Sequence, residues 1–248
     1  MTAIPLPARD DATARQTATG LALALAIATA WLALHLYGVF LHRWTVGGLL
    51  LAPVIVVVQC WLNVGLFIVA HDCMHGSLAP FRPRLNQAIG RLSLILYAGF
   101  SYDRLVGRHF AHHRHSGTDD DPDFHAGGPR RFWPWYVTFF RRYFGWREFA
   151  TISAVVLAYL LLLRAPVANL LALWALPAIL SSVQLFYFGT YLPHRHEDGP
   201  FGDHHNARSN DLSWLASLIT CFHFGYHHEH HTQPSVPWWK LPSTRDSR

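Results

Sequence analysis

The chain has 248 residues, of which 51% are apolar and only 14% are Asp, Glu, Lys or Arg, well below the roughly one quarter expected of a soluble domain. That balance points to a bilayer, and no Gly/Ser linker or charge block divides the sequence, so a single domain is expected. The formal charge is +5, yet no aromatic-interleaved basic stretch or helix-turn-helix pattern accompanies it, which argues against nucleic-acid binding.

Residues 1–16 read as a polar tail, too acidic near the start for a signal peptide and without a small-residue cleavage site after the apolar run that follows. Residues 17–248 are expected to form one membrane domain. Four apolar stretches lie at about 17–37, 46–70, 149–163 and 167–192. Three reach the roughly 20 residues that cross a hydrocarbon core; the third must borrow flanking residues, tilt or thin the bilayer. The brief linkers YGVFLHRWT and RAP fold the four into two transmembrane hairpins. A further apolar piece, 88–100, is too short to cross and is expected in the interface.

This pairing places the N-terminus, the block 71–148 and the tail from 193 on one side. Of twenty Lys and Arg only Arg43 and Arg164 fall at the hairpin tips, so the large side is expected to be cytoplasmic. The expected fold is therefore an all-α integral membrane protein with a cytoplasmic helical cap. Arg130-Arg131 and Arg141-Arg142 suit anionic lipid headgroups. Trp133, Trp135, Trp238 and Trp239 read as interfacial anchors.

Histidine is the anomaly: 18 residues, nearly as many as Lys plus Arg. HDCMH at 71–75 closes the second apolar stretch, HFAHHRH lies at 109–115, and HHEHH at 227–231. On a helix, residues three and four apart share a face, so His71 pairs with His75, His109 with His112 and His113, and His227 with His230 and His231. One such pair is more often structural. Three sets on one side of a membrane read as a metal site, with His35 and His42, near the far side, as structural or interfacial residues. Eight neutral nitrogens exceed what one ion accepts and the HExxH zinc pattern is absent; two irons would use the supply and leave room for oxygen. The expected centre is non-haem di-iron.

Cys60, Cys73 and Cys221 are scattered and suggest neither a disulfide nor a thiolate cluster. Electrons are then expected from a separate protein. The acids Asp72, Asp119, Asp120, Asp121, Asp123 and Glu229 lie beside the histidine sets. Of these, Asp72, Asp119, Asp120, Asp121 and Glu229 are candidates to orient ligating imidazoles through their other nitrogen, with a Pro122 turn as the rival reading of 119–124. His205, and His223 one helical turn before His227, are further candidates for that role.

The stretches HDCMHG, HFAHHRHSGTDDDPDF, FYFGTYLPHR, HNARS and HFGYHHEHH together resemble the membrane fatty-acid desaturase superfamily and, within it, the bacterial β-carotene ketolases. The resemblance runs from about Leu66 to the end, including VPWWKLPSTR. It implies an enzyme of the bacterial inner membrane that uses O₂ and external electrons, with reduced ferredoxin as the donor. Its substrate would be a carotenoid whose allylic ring methylene becomes a ketone by two hydroxylations and loss of water. It also places an LPHR motif at His194, which directly follows the last apolar stretch and is the expected ninth ligand. His196, His204 and His228 have weaker claims. The rivals are a carotenoid ring hydroxylase, an acyl-lipid desaturase, and a metal transporter. The last is disfavoured because its ionisable residues should line the middle of the membrane rather than cluster at one end.

Overall fold

The computed structural model describes residues 11–128, 130–196 and 200–245; most of the tail 1–16, part of the loop after His196 and the last three residues lie outside them. Helix α1 runs Asp11–Leu36 and closes in a π-helical turn, Tyr37–Leu41; α2 runs Val46–His75. Helix α1 therefore begins within the stretch expected to be a tail. The Thr45 side chain caps α2 by accepting from Gly48 N at 3.2 Å, and Gly76, with φ 71°, ends it in the left-handed conformation. Thirty residues at 1.5 Å make about 45 Å, roughly 15 Å more than a hydrocarbon core. His71 and His75 occupy the last two turns of this helix, so a helix apolar enough for lipid ends in imidazoles.

Helix α3, Pro83–Ala98, packs along α2 and covers most of the piece expected in the interface. Asn86 pins the intervening loop, donating to Ala79 O at 2.7 Å and accepting from Ala79 N at 3.2 Å. Helices α4 (Tyr102–His115), α5 (Phe132–Tyr143) and α6 (Trp146–Leu161) follow.

Among the described residues, three helices are long and apolar enough to cross a membrane: Asp11–Leu41, Val46–His75 and Val167–His194. The stretch expected at 149–163 becomes α6, which has only 16 residues and passes that test only together with α5, from which it is bent by 79°. The apolar stretch expected as the fourth span is therefore one arm of a bent helix pair. The break has a built cause. The buried Glu148 carboxylate accepts from Gly145 N at 2.9 Å and from Arg104 at 3.2 Å, which fixes the start of α6 at Gly145.

The last span, α7 (Val167–His194), contains two π-helical stretches, Leu170–Ala175 and Tyr187–Tyr191, each ending two residues before a proline, Pro177 and Pro193. A proline ring inside a helix crowds the carbonyl four residues back, and a widened turn relieves that contact. The second widened turn delivers His194 at the end of the span.

Helices α8 (Trp214–Cys221), α9 (His227–Thr232) and α10 (Leu241–Arg245) complete the chain. Phe222 and His223 take left-handed backbones, φ 48° and 62°, and reverse the chain between α8 and α9. The buried Phe222 ring stacks on Trp61 of α2 at 4.3 Å, which sets α9 against the histidine end of α2. At that end Gln16 donates to Ser77 O at 2.8 Å and accepts from Lys240 at 3.0 Å, joining the start of α1 to the C-terminal segment. At the other end Trp44 donates to Asn169 at 2.7 Å, tying the α1–α2 tip to the start of α7.

Two of the four tryptophans expected as anchors are interior residues. Trp135 is fully buried, packs on Phe124 and Phe186 and donates to Asp123 O at 2.7 Å, and Trp238 is buried against Phe222.

Replacing a helical Gly by Ala ordinarily stabilises by up to about 1 kcal/mol. At Gly20, however, a Cβ would stand 2.3 Å from the Leu78 carbonyl oxygen, whereas at Gly47 nothing lies within 4 Å. Thermal melts in detergent should therefore show Gly20→Ala destabilised by about 1–3 kcal/mol and Gly47→Ala unchanged or more stable. Equal melting of the two variants would contradict the packing of α1 on the loop after α2.

Candidate metal centre

The nine histidines come together at the cap end, but not as three boxes. His71, His75, His109, His113 and His230 form one group, and His112, His194, His227 and His231 another; within each group the ring nitrogens that face one another lie within 4.8 Å. The two triplets are split reciprocally. On α4 the i, i+4 pair His109 and His113 serves the first group while His112 serves the second. On α9 the pair His227 and His231 serves the second while His230 serves the first. Consecutive helix positions differ by about 100°, so neighbours such as His112 and His113 aim at different points. Residues that share a helix face thus divide between the two groups.

Within the groups Nε2 atoms face each other: His75 and His109 at 2.6 Å, His113 and His230 at 3.0 Å, His194 and His227 at 2.9 Å, His227 and His231 at 3.1 Å. In the second group the outward nitrogens of two rings are already committed. His194 Nδ1 lies 2.8 Å from Asn206 O and 3.1 Å from Ser116 Oγ, and His112 Nδ1 lies 3.0 Å from both Asp121 oxygens. A ring that donates from Nδ1 presents a lone pair at Nε2, and several lone pairs converging on one point call for a cation. Nitrogens bound to one ion at about 2.1 Å stand about 3 Å apart, which matches these separations. The donor set thus fits a metal ion in each group.

Electrostatics agree. Burial first, and then the charge that neighbouring imidazoles would carry, hold His109, His227, His230 and His231 well below the usual histidine range, and His113 is pushed down to about 2. They are neutral, the form that ligates. His112 differs: burial opposes its charge, but the hydrogen bond with Asp121 and the charges of Asp123 and Asp121 outweigh burial and raise its pKa. Despite its own burial, Asp121 is lowered chiefly by the same bond. Its carboxylate is further fixed by Gly117 N at 2.9 Å and Asp123 N at 2.8 Å.

The other residues expected to orient imidazoles are placed differently. Asp119 and Asp120 are exposed. Asp72 is buried but 3.8 Å from His71 Nδ1, and it accepts instead from Trp238 N at 3.1 Å. Glu229 accepts from Ser209 and from Arg245 at 3.0 Å, which fastens α9 to the C-terminal segment. His205 is half-buried, its ring 6.2 Å from that of His231, and hydrogen-bonds none of the nine. His223 is not one helical turn before His227: it lies in the reversal ahead of α9, against Trp214 and Trp238. Of the weaker candidates, His196 stacks on Phe124 and His228 pairs with Asp203 at 2.7 Å. Sequence reasoning passed over Ser116 and Asn206 at His194; the HNARS motif was the available signal.

A cavity of about 650 Å³ runs from His71, His109, His112 and His227 into the bundle, as far as Trp31 and Tyr159. Its walls are mainly aromatic and aliphatic, and both histidine groups reach its cap end.

A family model described as fatty acid desaturase matches residues 44–152 and 132–247. The chain is 53% identical over 230 residues to the beta-carotene ketolase of Paracoccus sp. (strain N81106 / MBIC 01143), covering 92% of this chain and 93% of that one. It is 50% identical over 238 residues to the beta-carotene ketolase of Paracoccus sp. (strain PC1), covering 96% of each. The beta-carotene ketolase of Haematococcus lacustris is 39% identical over 258 residues, covering 92% of this chain and 79% of that one. No solved structure matches the chain.

Removing a carboxylate that holds a ligating imidazole typically weakens metal affinity by about 10–100-fold. Asp121→Asn should therefore lose metal in competition with a chelator, while Asp119→Asn and Asp120→Asn, changed at exposed positions, should hold it as wild type does. Three equal affinities would remove Asp121 from the centre.

Proposed function

The chain belongs to the fatty acid desaturase family, and from that premise we propose that it is a β-carotene ketolase, an O₂-dependent oxygenase that turns the allylic ring methylene of β-carotene into a ketone. The observation that carries this reading is the junction of two histidine groups with one end of a long, largely apolar cavity. Two irons are the proposed metals. His71, His75, His109, His113 and His230 would hold one, and His112, His194, His227 and His231 the other. Bound there, the irons would supply the reductive activation of O₂ needed to oxidise the allylic C–H bond.

The chain's own residues do the rest. Phe67, Tyr97, Phe139 and Phe224 offer flat apolar walls to a rigid polyene, and a hydrocarbon arriving from the bilayer needs little desolvation to enter. A snug slot chooses the carbon, because only a C–H bond held beside the histidine end can react, and it excludes competing water. Asp121, Ser116 and Asn206 hold two of the imidazoles in orientation. In the proposed reaction each hydroxylation uses one O₂, two electrons and two protons and releases one water; two rounds at the same carbon give a geminal diol, which loses water to the ketone. The three cysteines are separate and buried, so the electrons are assigned to an external donor of the ferredoxin type.

Expressed in bacteria that accumulate β-carotene, the protein is expected to give the mono- and diketone. Recovery of ring-hydroxylated carotenoid alone, or altered lipid unsaturation with unchanged carotenoid, would overturn the reading.

We place the cap, both termini and the histidine groups at the cytoplasmic face of the bacterial inner membrane. The contact of Gln16 with Ser77 and Lys240, and the concentration of Lys and Arg away from the hairpin tips, support that sidedness. Reporter tags after Gly38 and at Arg164 should then score as periplasmic and terminal tags as cytoplasmic. A periplasmic C-terminus would overturn it.

A further inference from the structure

Asp123 is the one carboxylate among the described residues that line the cavity, and it stands at the end occupied by His109 and His112. Its backbone is locked on both sides, N–H donating to Asp121 at 2.8 Å and C=O accepting from Trp135 at 2.7 Å. One carboxylate oxygen accepts the Tyr143 hydroxyl. The other lies 3.8 Å from His112 Nδ1, beyond hydrogen-bond distance, and retains acceptor capacity. A carboxylate in an apolar cavity is costly unless it is used, and the starting hydrocarbon offers it no donor.

The half-oxidised ring does offer one. The first hydroxylation leaves a hydroxyl on the ring carbon closest to the histidine groups, at the end where Asp123 is the one lining carboxylate among the described residues. We propose that Asp123, positioned by Tyr143, is the hydrogen-bonding seat for this allylic alcohol and retains it until the second C–H bond on the same carbon is oxidised. The alcohol donates and the carboxylate accepts; no proton leaves either group. The ligand class is a secondary ring alcohol, and the inference rests on the ketolase reading. Without the seat the alcohol should escape before the second round, and one hydrogen bond to a charged group is worth about tenfold in that partition.

The test uses the full chain in a β-carotene-producing host, comparing wild type with Asp123→Val, Asp123→Asn and Tyr143→Phe. Two quantities are read: the ratio of hydroxylated to ketone ring ends in the pigment, and the iron content of each purified protein. Tyr143 touches none of the nine histidines, so Tyr143→Phe should keep wild-type iron. The expected result is a roughly tenfold higher hydroxyl-to-ketone ratio for Asp123→Val, a smaller rise for Tyr143→Phe, and partial rescue in Asp123→Asn, whose amide oxygen still accepts. An iron-loaded Tyr143→Phe or Asp123→Asn protein with the wild-type ratio would overturn the seat, even if Asp123→Val had lost iron. A wild-type protein that makes no ketone would instead overturn the ketolase reading.

Discussion

Nine imidazoles, most of them buried, cannot all be charged where they stand. With Nδ1 of His112 and His194 held by Asp121 and Asn206, their Nε2 atoms are turned toward the other rings of their group. Cations would satisfy such an arrangement, and most of the cap is organised to hold it. Asp121 fixes one ring, Ser116 and Asn206 another, and the Glu229–Arg245 pair fastens the short helix that brings three of the nine. Metal binding and folding of the cap are on this account one event.

The membrane helices supply the foundation. Helix α2 is roughly 15 Å longer than a hydrocarbon core and carries His71 and His75 in its last two turns. Helix α7 reaches the same level through a proline-induced widened turn that ends just before His194. The break between α5 and α6 is held by Glu148, and Tyr136, Phe139 and Tyr143 of α5 line the cavity. An apolar cavity and the histidine groups thus meet without a charged residue in the middle of the three spans.

Much of this was legible in the sequence because it depends on local periodicity. The three long apolar runs, their short linkers and the clustering of the histidine sets at one end follow from composition and spacing. The division of His112 from His113, and of His230 from His231, did not, because residues three and four apart look equivalent until the packing partners on each side are known. The acids show the same limit. Within the acidic run 119–121 only Asp121 reaches an imidazole, since the turn at Gly117 and Pro122 exposes the other two. His223 was misplaced because Phe222 and His223 adopt a left-handed reversal where continuous helix was assumed. Glu148 and Pro193, which shape the broken helix and the delivery of His194, act through a cap and a ring contact that periodicity does not register.

The central claim is that one chain holds two metal ions in two histidine groups that exchange ligands across α4 and α9. Anomalous diffraction at the iron edge from the iron-loaded protein tests it directly. The account predicts two peaks, one among His71, His75, His109, His113 and His230 and one among His112, His194, His227 and His231. A single peak, or a second peak outside these groups, would contradict it.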